Sequence, residues 1–404
     1  MKDEHVILRL RKPISRDIFL GGASVRDLES FSPELQSLTS EWIVDVDNLD
    51  RGSISAMARS NDVVAFAPMM PMKLIEPFDV TDVAPADAAS VAWGIKAVGA
   101  DQTTLTGSGI VVAVLDTGID PDHAAFAGVE LVQKDFTGEG NGDRHGHGTH
   151  CAGTIFGRDV NNTRIGVAKG VTKALIGKVL GQNSGSSANI VEAIQWASQN
   201  GANVVSMSLG IDFPGFVAQL VARGTPPELA TAKALEAYRA NVQLFEKMAQ
   251  LIKAGSPFFQ TMILVAAAGN ESRRNVNADF EIGVSPPAVS DGFISVAALG
   301  EEPNGQFKVA PFSNTGAMVS GPGVNIISAK PGGGLTSMSG TSMATPHVAG
   351  VAALWAEKLR NSGGLNPTSL AAMLIASGDT ANMAAGFDPF DVGTGMTKVP
   401  ARIV

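Results

Sequence analysis

The spacing of apolar residues divides the chain into two parts. Before about residue 80, runs rich in branched and aromatic side chains predict three strands and one short helix. After about residue 92, apolar runs alternate with stretches of helical spacing, such as 188–200, where Ile190, Ile194 and Ala197 repeat. The predicted strands are 5–11, 42–48 and 62–75, with a helix at 53–60, and then 109–120, 173–180, 203–209, 262–269 and 293–299.

The second part predicts an α/β fold. A strand that is apolar along its whole length needs cover on both faces, which is typical of a parallel sheet between two layers of helices. We therefore expect a doubly wound, mostly parallel sheet with helices on both faces, preceded by a small α+β domain. In such sheets, ligands and catalytic groups gather at the carboxyl ends of the strands.

A linker is predicted between the two parts. The stretch VTDVAPADAAS has few large side chains and is rich in Ala, Asp and Pro, as accessible linkers are. The predicted organisation is an N-terminal domain at 1–80, a linker at 81–92 and a main domain at 93–404.

Composition narrows the function classes. The chain has 404 residues, a formal net charge of -9 and one cysteine, Cys151, so no disulfide can form within it. Its 30 Lys and Arg residues, against 39 acidic ones, form no basic cluster, which argues against nucleic-acid binding. No apolar run is long enough to cross a bilayer, so we expect no membrane partner. The N-terminus has no signal-peptide pattern, so the sequence as written predicts a cytoplasmic protein, and a missing leader would make it secreted.

Three residues stand where a hydrolase would place its catalytic groups. Asp116 ends the first apolar strand of the main domain, His147 lies in HGHGTHCAGT among small residues, and Ser342 precedes a predicted helix. Each also has a structural interpretation, and a serine that caps a helix is the commonest of these. A zinc site at His145, His147 and His150 is a further hypothesis, weakened by the absence of the glutamate of an HExxH motif.

The combination of the three is more informative than any one of them. A hydroxyl becomes a nucleophile when a neutral imidazole accepts its proton, and a carboxylate fixes the tautomer of that imidazole. The motifs DTGID, HGTHCAGT and GTSMATPHVAG, in this order, resemble those of the subtilisin-like serine proteases over about 105–360. The wording HGTHCAGT followed by IGVAKG is more similar to the proteinase K branch.

The resemblance implies a serine endopeptidase that hydrolyses extended polypeptides through Asp116, His147 and Ser342 and an acyl-enzyme intermediate. The chemistry requires no cofactor. Two other functions share this fold: a silent protein that only binds peptides, which would lack a triad residue, and an esterase or amidase for small molecules.

The resemblance also implies roles for residues around the triad. Asn270, in VAAAGNES, matches the side-chain oxyanion donor of the family and would act with the backbone amide of Ser342. Segments 184–186 and 208–210 match the two edges that clamp an extended substrate. Segment 208–210, together with 267–269, would also form the walls of the primary specificity pocket. These substrate-binding residues are Ser184, Gly185 and Ser186, then Ser208, Leu209 and Gly210, and then Ala267, Ala268 and Gly269. The small pocket residues would admit a large apolar side chain, whereas Glu271 at the rim would favour a basic one.

Residues 1 to about 80 resemble the inhibitory propeptides of the family, which have a ferredoxin-like fold. The resemblance implies a domain that assists folding, inhibits the active site as an intramolecular partner and is removed by self-cleavage within 77–92. A permanently attached binding domain is the alternative.

A helical insertion at about 211–260 departs from the family pattern. It contains a long amphipathic helix, preceded by a shorter one near FVAQLVA. A lid over the substrate cleft and a surface elaboration are both compatible with it. The residues predicted to share one face of the long helix are Leu235, Tyr238, Val242, Phe245 and Ile252.

Two further positions leave alternatives open. Cys151 matches a cysteine that lies beneath the catalytic histidine in the proteinase K branch, and is either an inert buried thiol or a site where mercurials displace His147. Structural calcium stays unassigned, because Ala125 stands where one common calcium site of the family has an aspartate.

Overall fold

The computed structural model describes residues 3–10, 42–84, 88–182, 185–255 and 260–400. The strands, β1 to β19 in chain order, are Asp3–Leu10, Trp42–Leu49, Val63–Pro68, Pro71–Leu74, Phe78–Val83, Ser90–Val91, Val111–Asp116, Glu130–Asp135, Thr163–Arg164, Lys173–Lys178, Gly185–Ser186, Val204–Met207, Leu209–Ile211, Ile263–Ala267, Phe293–Glu301, Phe307–Val309, Val319–Pro322, Ile326–Ala329 and Leu335–Ser339. The helices, α1 to α9, are Arg51–Met57, Trp93–Ala97, His147–Phe156, Ser187–Gln199, Phe213–Ala222, Pro227–Gly255, Thr341–Asn361, Pro367–Ala376 and Pro389–Val392.

An eight-stranded sheet forms the centre of the main domain. Its order is β16-β15-β14-β12-β7-β10-β8, and β17 also pairs with β15. Seven strands run parallel, and β16 alone is antiparallel to its neighbour β15. The α/β fold class with a mostly parallel sheet is confirmed.

The two faces of this sheet are buried by different helices. Along β7, Val112 and Val114 belong to the core that also holds α3 and α7, whereas Ala113 and Leu115 belong to the core of α4 and α6. Side chains in a strand alternate between faces, so a strand between two helical layers has to be apolar at every position.

A small antiparallel sheet of order β2-β1-β3, with α1, forms the described part of the N-terminal α+β region. Its inner residues Val6, Leu8 and Ala67 share a core with α4 and α6. The backbone carbonyl of Trp42 also accepts a hydrogen bond from the side-chain amide of Gln195 in α4. Residues 11–41 lie outside the described residues, so the ferredoxin-like topology stays a prediction.

The structure divides two segments differently from the sequence pattern. The single strand predicted at 62–75 is two strands in different sheets, since β3 pairs with β1 whereas β4 pairs with β11 and β13. The predicted linker is also partly strand: β5 pairs with β19 and β6 pairs with β9. The pattern shows apolar character but not the partner of each strand.

The insertion forms α5 and the 29-residue helix α6. The predicted face of α6 is wrong at Leu235, which is 54% exposed. The buried face repeats at alternating steps of four and three residues, through Ala230, Ala234, Ala237, Asn241, Leu244 and Met248. Small residues face inward because α6 packs closely on β3 of the N-terminal sheet. The insertion therefore packs against the N-terminal region, and its first helix, α5, lies beside β4.

Among the described residues, no helix combines the length and the apolar character that crossing a bilayer requires.

A buried asparagine joins three strands of the central sheet at their amino ends. Asn203 is 1% exposed. Its side-chain oxygen accepts from the backbone N–H of Val111, 3.0 Å away, and its amide donates to the carbonyl of Thr261 at 3.1 Å. The Asn203 side chain is thus a hydrogen-bond partner of one backbone group at the start of β7 and of another just before β14. It therefore aligns the starts of these two strands.

We predict that Asn203→Ala lowers the free energy of unfolding by about 2–4 kcal/mol, because it leaves two buried backbone groups unpaired. Urea unfolding followed by circular dichroism, in a Ser342→Ala background that removes the predicted nucleophile, measures the change. Asn304→Ala, at an exposed position, is the control and is expected to change little. An equal stability of the two variants would contradict this role of Asn203.

Candidate active site

Asp116 and His147 meet at the carboxyl edge of the sheet. Asp116 ends β7 and His147 begins α3. The His147 Nδ1 donates to Asp116 Oδ1 at 2.8 Å, and both side chains are buried, at 0% and 1% exposure. Burial, the largest single effect, lowers the pKa of His147, but the charge and hydrogen bond of Asp116 together with those of Cys151 outweigh it and hold the pKa well above its usual value. The pair therefore favours an imidazolium.

Two contacts fix the start of α3 against β7. A Cβ on Gly148 would lie 2.2 Å from the carbonyl oxygen of Gly118, so only glycine permits this approach. Asp143, in the preceding loop, accepts from the backbone N–H groups of Gly146 and Thr149 at 2.8 and 2.9 Å. Burial would raise the pKa of Asp143, yet its hydrogen bonds, the largest from the side chain of Thr149, lower it. The carboxylate thus orders the loop that delivers His147.

Ser342 is the second residue of α7, which begins after Gly340. Its Oγ donates to the carbonyl of Ile75 at 3.0 Å and approaches the carbonyl of Ser208 at 3.5 Å. The Nε2 of His147 has no hydrogen-bond partner in the described part of the chain. The structure therefore makes the first hydrogen bond of the expected triad, between Asp116 and His147, and directs the serine hydroxyl toward the N-terminal segment.

Asn270 lies beside Ser342, as the sequence predicts. Its Oδ1 accepts from the backbone N–H and the hydroxyl of Thr341, both at 2.9 Å. Its Nδ2 is thereby directed into the cleft, where it donates to the carbonyl of Glu76 at 3.0 Å. This side chain, with a hydrogen bond of 3.3 Å from the Gly269 N–H to the Thr341 hydroxyl, holds the start of α7 to the loop after β14.

The chain's own segment 70–76 occupies the cleft between the two predicted clamping edges. β4 lies antiparallel to both β11 and β13, with Met72 opposite Gly185 on one side and opposite Ile211 on the other. Lys73 pairs with Gly210. Pairing extends upstream, because the backbone N–H of Asp212 donates to Pro71. Ser184, which the sequence analysis assigned to the first edge, lies outside the described residues.

Side chains of this segment also have defined surroundings. Ile75 is 2% exposed, and its Cγ1 would lie 3.8 Å from a Cβ on Gly210, beside Ser285. Ser285 is bonded through its N–H to the carbonyl of Ala268, so Ile75 lies against the predicted primary pocket.

Charges flank the segment on both sides of Ile75. Lys73 Nζ lies 3.4 Å from Glu271 Oε1, and the other carboxylate oxygen of Glu271 accepts from Asn314. Glu76 Oε2 lies 3.7 Å from His145 Nε2. Both charged side chains of the segment therefore have partners on the main domain, Glu271 for Lys73 and the imidazole of His145 for Glu76.

The three histidines of the zinc hypothesis do not converge. His150 Nε2 donates to the carbonyl of Ile326 at 2.9 Å, and burial lowers the pKa of His150 to about 3. His145 is largely exposed. Within the described ranges, the single group of three metal-binding side chains in reach of one another is Asp116, His147 and Cys151. Its first two members are already hydrogen-bonded to each other.

Cys151 lies one turn after His147 in α3 and is buried. Its Sγ is 3.8 Å from His147 Nδ1 and 3.4 Å from the carbonyl of Ser342. Burial raises the pKa of the thiol, so it is a neutral packing group in this structure.

Sequence reasoning missed two parts of the site. Asp143 was not singled out, although an acidic residue four positions before His147 was visible. The family resemblance predicted that the N-terminal domain inhibits the active site, but the strand pattern did not show that 70–76 is the segment in the cleft, because a strand pattern does not identify its partner.

Comparisons with known proteins agree with this geometry. Residues 107–395 match the family model described as the subtilase family. The chain is 36% identical over 273 residues to the thermostable alkaline protease of Halalkalibacterium halodurans, covering 66% of this chain and 62% of that protein. It is 33% identical over 277 residues to subtilisin DY of Bacillus licheniformis, covering 66% of this chain and 85% of that protein. It is 32% identical over 274 residues to subtilisin-like protease 6 of Arthroderma gypseum, covering 65% of this chain and 57% of that protein.

The chain thus spans less than two thirds of the alkaline protease and most of subtilisin DY. Since the family model covers well over half of the chain, the chain belongs to the subtilase family of serine endopeptidases.

Proposed function

We propose that the chain is an endopeptidase that uses Asp116, His147 and Ser342 on extended polypeptides, and that its first substrate is its own peptide bond between Ile75 and Glu76. The observation that carries the proposal is the hydrogen bond of 3.0 Å from Ser342 Oγ to the carbonyl of Ile75. An extended peptide paired on both sides places that carbonyl at the nucleophile.

The proposed mechanism follows from the neighbours of this carbonyl. His147 accepts the proton of Ser342, whose Oγ attacks the carbonyl carbon, and Asp116 stabilises the imidazolium. The side-chain amide of Asn270, which donates to the carbonyl of Glu76 in the uncleaved chain, turns to the neighbouring Ile75 oxygen and holds the oxyanion together with the backbone N–H of Ser342. His147 then donates its proton to the leaving amine, and water hydrolyses the acyl-enzyme. Only protein side chains and water take part, so the chemistry requires no cofactor.

The cleft itself favours polypeptides over the small molecules of an esterase or amidase. Pairing of β4 with β11 and β13 binds main chain over several residues, which a small ester does not offer. The buried Ile75 supports an apolar side chain at the residue before the cleaved bond. Glu271, held by Asn314, then selects a basic side chain two residues earlier, at the position of Lys73.

We propose that the N-terminal region acts as an intramolecular inhibitor after the cut. The carbonyl of Pro68 accepts from the side-chain amide of Asn241 at 2.8 Å, and Asn241 is wholly buried in α6. The N-terminal sheet, anchored on α4 and α6, holds 70–75 in the cleft by proximity.

Assignment to the proteinase K branch rests on the wording HGTHCAGT and on Cys151 beneath His147.

We predict that purified wild-type chain begins at Glu76, whereas Ser342→Ala stays whole and does not digest casein. Intact-mass spectrometry measures both N-termini. The structure brings Ile75 and Glu76, just before the window of 77–92, to Ser342. A wild-type chain that begins within 77–92 would refute the proposed bond, and a whole, inert wild type would support the peptide-binding alternative.

The rate of self-cleavage should rise with pH through an apparent pKa above 6.5, the usual value for histidine. His147 accepts a proton only when neutral, so activity is present above its folded pKa and is lost as the pH falls through it. Chain purified at low pH and shifted to a series of higher values gives the profile by mass spectrometry. Asp116→Asn should slow cleavage and move the midpoint down, because the charge that raises the pKa is gone. A midpoint at or below 6.5 in the wild type would reject this assignment.

Asn241→Asp should release the N-terminal fragment faster after the cut. A carboxylate facing the Pro68 carbonyl replaces a hydrogen bond by repulsion between two acceptors, so we expect at least about a tenfold weaker hold. The measured quantity is the lag, which is the delay between the cut, detected by mass spectrometry, and the first hydrolysis of an added peptide substrate. Gln243→Glu adds the same charge to the exposed side of α6 and should keep the wild-type lag. Equal lags in both variants would remove Asn241 from the inhibitory interface.

A further inference from the structure

The turn after β7, the loop before α3 and the start of α3 are in direct contact beside the pair of Asp116 and His147. A Cβ on Gly118, whose φ is 107°, would lie 2.4 Å from the carbonyl oxygen of Gly142 in the loop. The carbonyl of Gly118 in turn lies against Gly148 of α3. Because Asp116 comes two residues before Gly118 and His147 directly before Gly148, a shift of any of the three backbone segments moves one member of the pair relative to the other.

Two threonine hydroxyls cross between these segments. Thr117 Oγ1 accepts from the backbone N–H of Gly148 at 2.9 Å, and Thr149 Oγ1 accepts from the backbone N–H of Asp120 at 3.0 Å. One hydroxyl therefore reaches from the end of β7 to the helix, and the other reaches from the helix to the segment that follows β7. Thr117 is 6% exposed and Thr149 is 0% exposed, so both hydrogen bonds are shielded from water.

Asp143 fixes the direction of both hydroxyls. Its Oδ1 accepts from Thr117 Oγ1 at 2.9 Å, and its Oδ2 accepts from Thr149 Oγ1 at 2.6 Å. A hydroxyl has a single proton, so one that donates to Asp143 has only lone pairs left for its other partners. The carboxylate therefore makes each threonine an acceptor for a backbone N–H of the opposite segment.

The same two oxygens also hold the loop that leads into α3. Oδ1 accepts from the N–H groups of His145 and Gly146 at 3.0 and 2.8 Å, and Oδ2 accepts from the N–H of Thr149 at 2.9 Å. All of these groups donate to Asp143, which an ionised carboxylate satisfies because it is an acceptor only.

We propose that Asp143 is a positioning residue for the reaction: through two threonine hydroxyls it holds Asp116 and His147 at hydrogen-bond distance, without a hydrogen bond of its own to either. The inference rests on the proposed function, since it concerns the self-cleavage step. Asp143→Asn is the diagnostic change, because asparagine has the same size but carries one NH2 donor. Whichever way its amide turns, that donor faces a backbone N–H, and one threonine hydroxyl loses its acceptor.

The rate of self-cleavage tests the proposal directly, because the substrate segment is already paired in the cleft. The first-order rate constant, followed by mass spectrometry, therefore reports the chemical step and not binding. We expect Asp143→Asn to lower it about 100-fold, the effect of a shift of about 1 Å between reacting groups. Asp135→Asn is the matched control and should cleave at nearly the wild-type rate. Asp135 also accepts from a threonine hydroxyl and two backbone N–H groups, those of Thr137 and Gly140, but all of them lie in its own loop.

Conservative changes separate the hydroxyl from the shape of the side chain. Thr117→Ser and Thr149→Ser keep the hydroxyl and should cleave at close to the wild-type rate, whereas Thr117→Val and Thr149→Val keep the branched shape and should be slow. In combination with Asp143→Asn, each valine should slow cleavage less than it does alone, because the two changes break one network. Serine variants as slow as the valine variants, or effects that add in full, would overturn the role of the hydroxyls.

Proton NMR follows the position of His147 without any cleavage. In Ser342→Ala, the proton between His147 Nδ1 and Asp116 Oδ1 should give a resonance far downfield, since it lies in a short hydrogen bond between charged groups. Adding Asp143→Asn should shift or broaden this resonance, whereas adding Asp135→Asn should leave it unchanged. The ring N–H of buried His150, which donates to a backbone carbonyl at 2.9 Å, should persist in both variants and shows that they are folded.

The possible failures are distinct. An unchanged downfield resonance in Asp143→Asn, or self-cleavage of Asp143→Asn at the wild-type rate, overturns the positioning role. A wild-type chain that stays whole overturns the proposed function instead, and the NMR comparison then decides the role of Asp143 by itself.

Discussion

The parallel direction of seven strands in the central sheet is the constraint on which the site depends. Parallel strands end at one edge, and each must return through a crossover on a face of the sheet. Asp116 therefore ends β7 at the same edge where α3 begins with His147 and where β14 leads to Asn270. The hydrogen bond between Asp116 and His147 then depends on the glycine at 148, which permits the close approach, and on Asp143, which orders the loop before α3.

The same architecture places backbone N–H and C=O groups of β11 and β13 along the cleft, and the N-terminal segment binds by pairing with them. β11 and β13 are short strands whose only partner in the described structure is β4. Unpaired strand edges attract any extended chain. The N-terminal sheet supplies such a chain at high effective concentration, since β3 leads into β4 after two residues. The proposed inhibition and the proposed substrate binding therefore rely on the same backbone hydrogen bonds.

Sequence was sufficient where local pattern and chemistry agree. The continuous apolar runs predicted the parallel sheet and placed Asp116 at the end of one strand, and the resemblance of the motifs to a known family brought His147 and Asn270 to the same site. Prediction from the sequence failed where the structure of a segment depends on the strand or helix against which it packs. The run 62–75 has one continuous strand pattern, yet its halves pair in different sheets. On α6, Phe245 and Ile252 of the predicted face are buried, but in the first half of the helix alanines and Asn241 are buried instead of Leu235. Neither outcome is encoded within the segment concerned.

The position of the serine proton links inhibition to chemistry. In this structure Ser342 Oγ donates to the Ile75 carbonyl, so the proton lies on the side of the electrophile and not of His147. Attack requires the hydroxyl to turn toward Nε2, which has no partner among the described residues, and requires His147 to be neutral although Asp116 raises its pKa. Pro77 follows Glu76 directly and lacks a backbone N–H, so it restricts how the chain leaves the cleft toward β5. The paired segment is thus held with the Ile75 carbonyl at the serine hydroxyl while the proton is turned away from His147, which supports our proposal that the bound chain is cut slowly and, once cut, acts as an inhibitor.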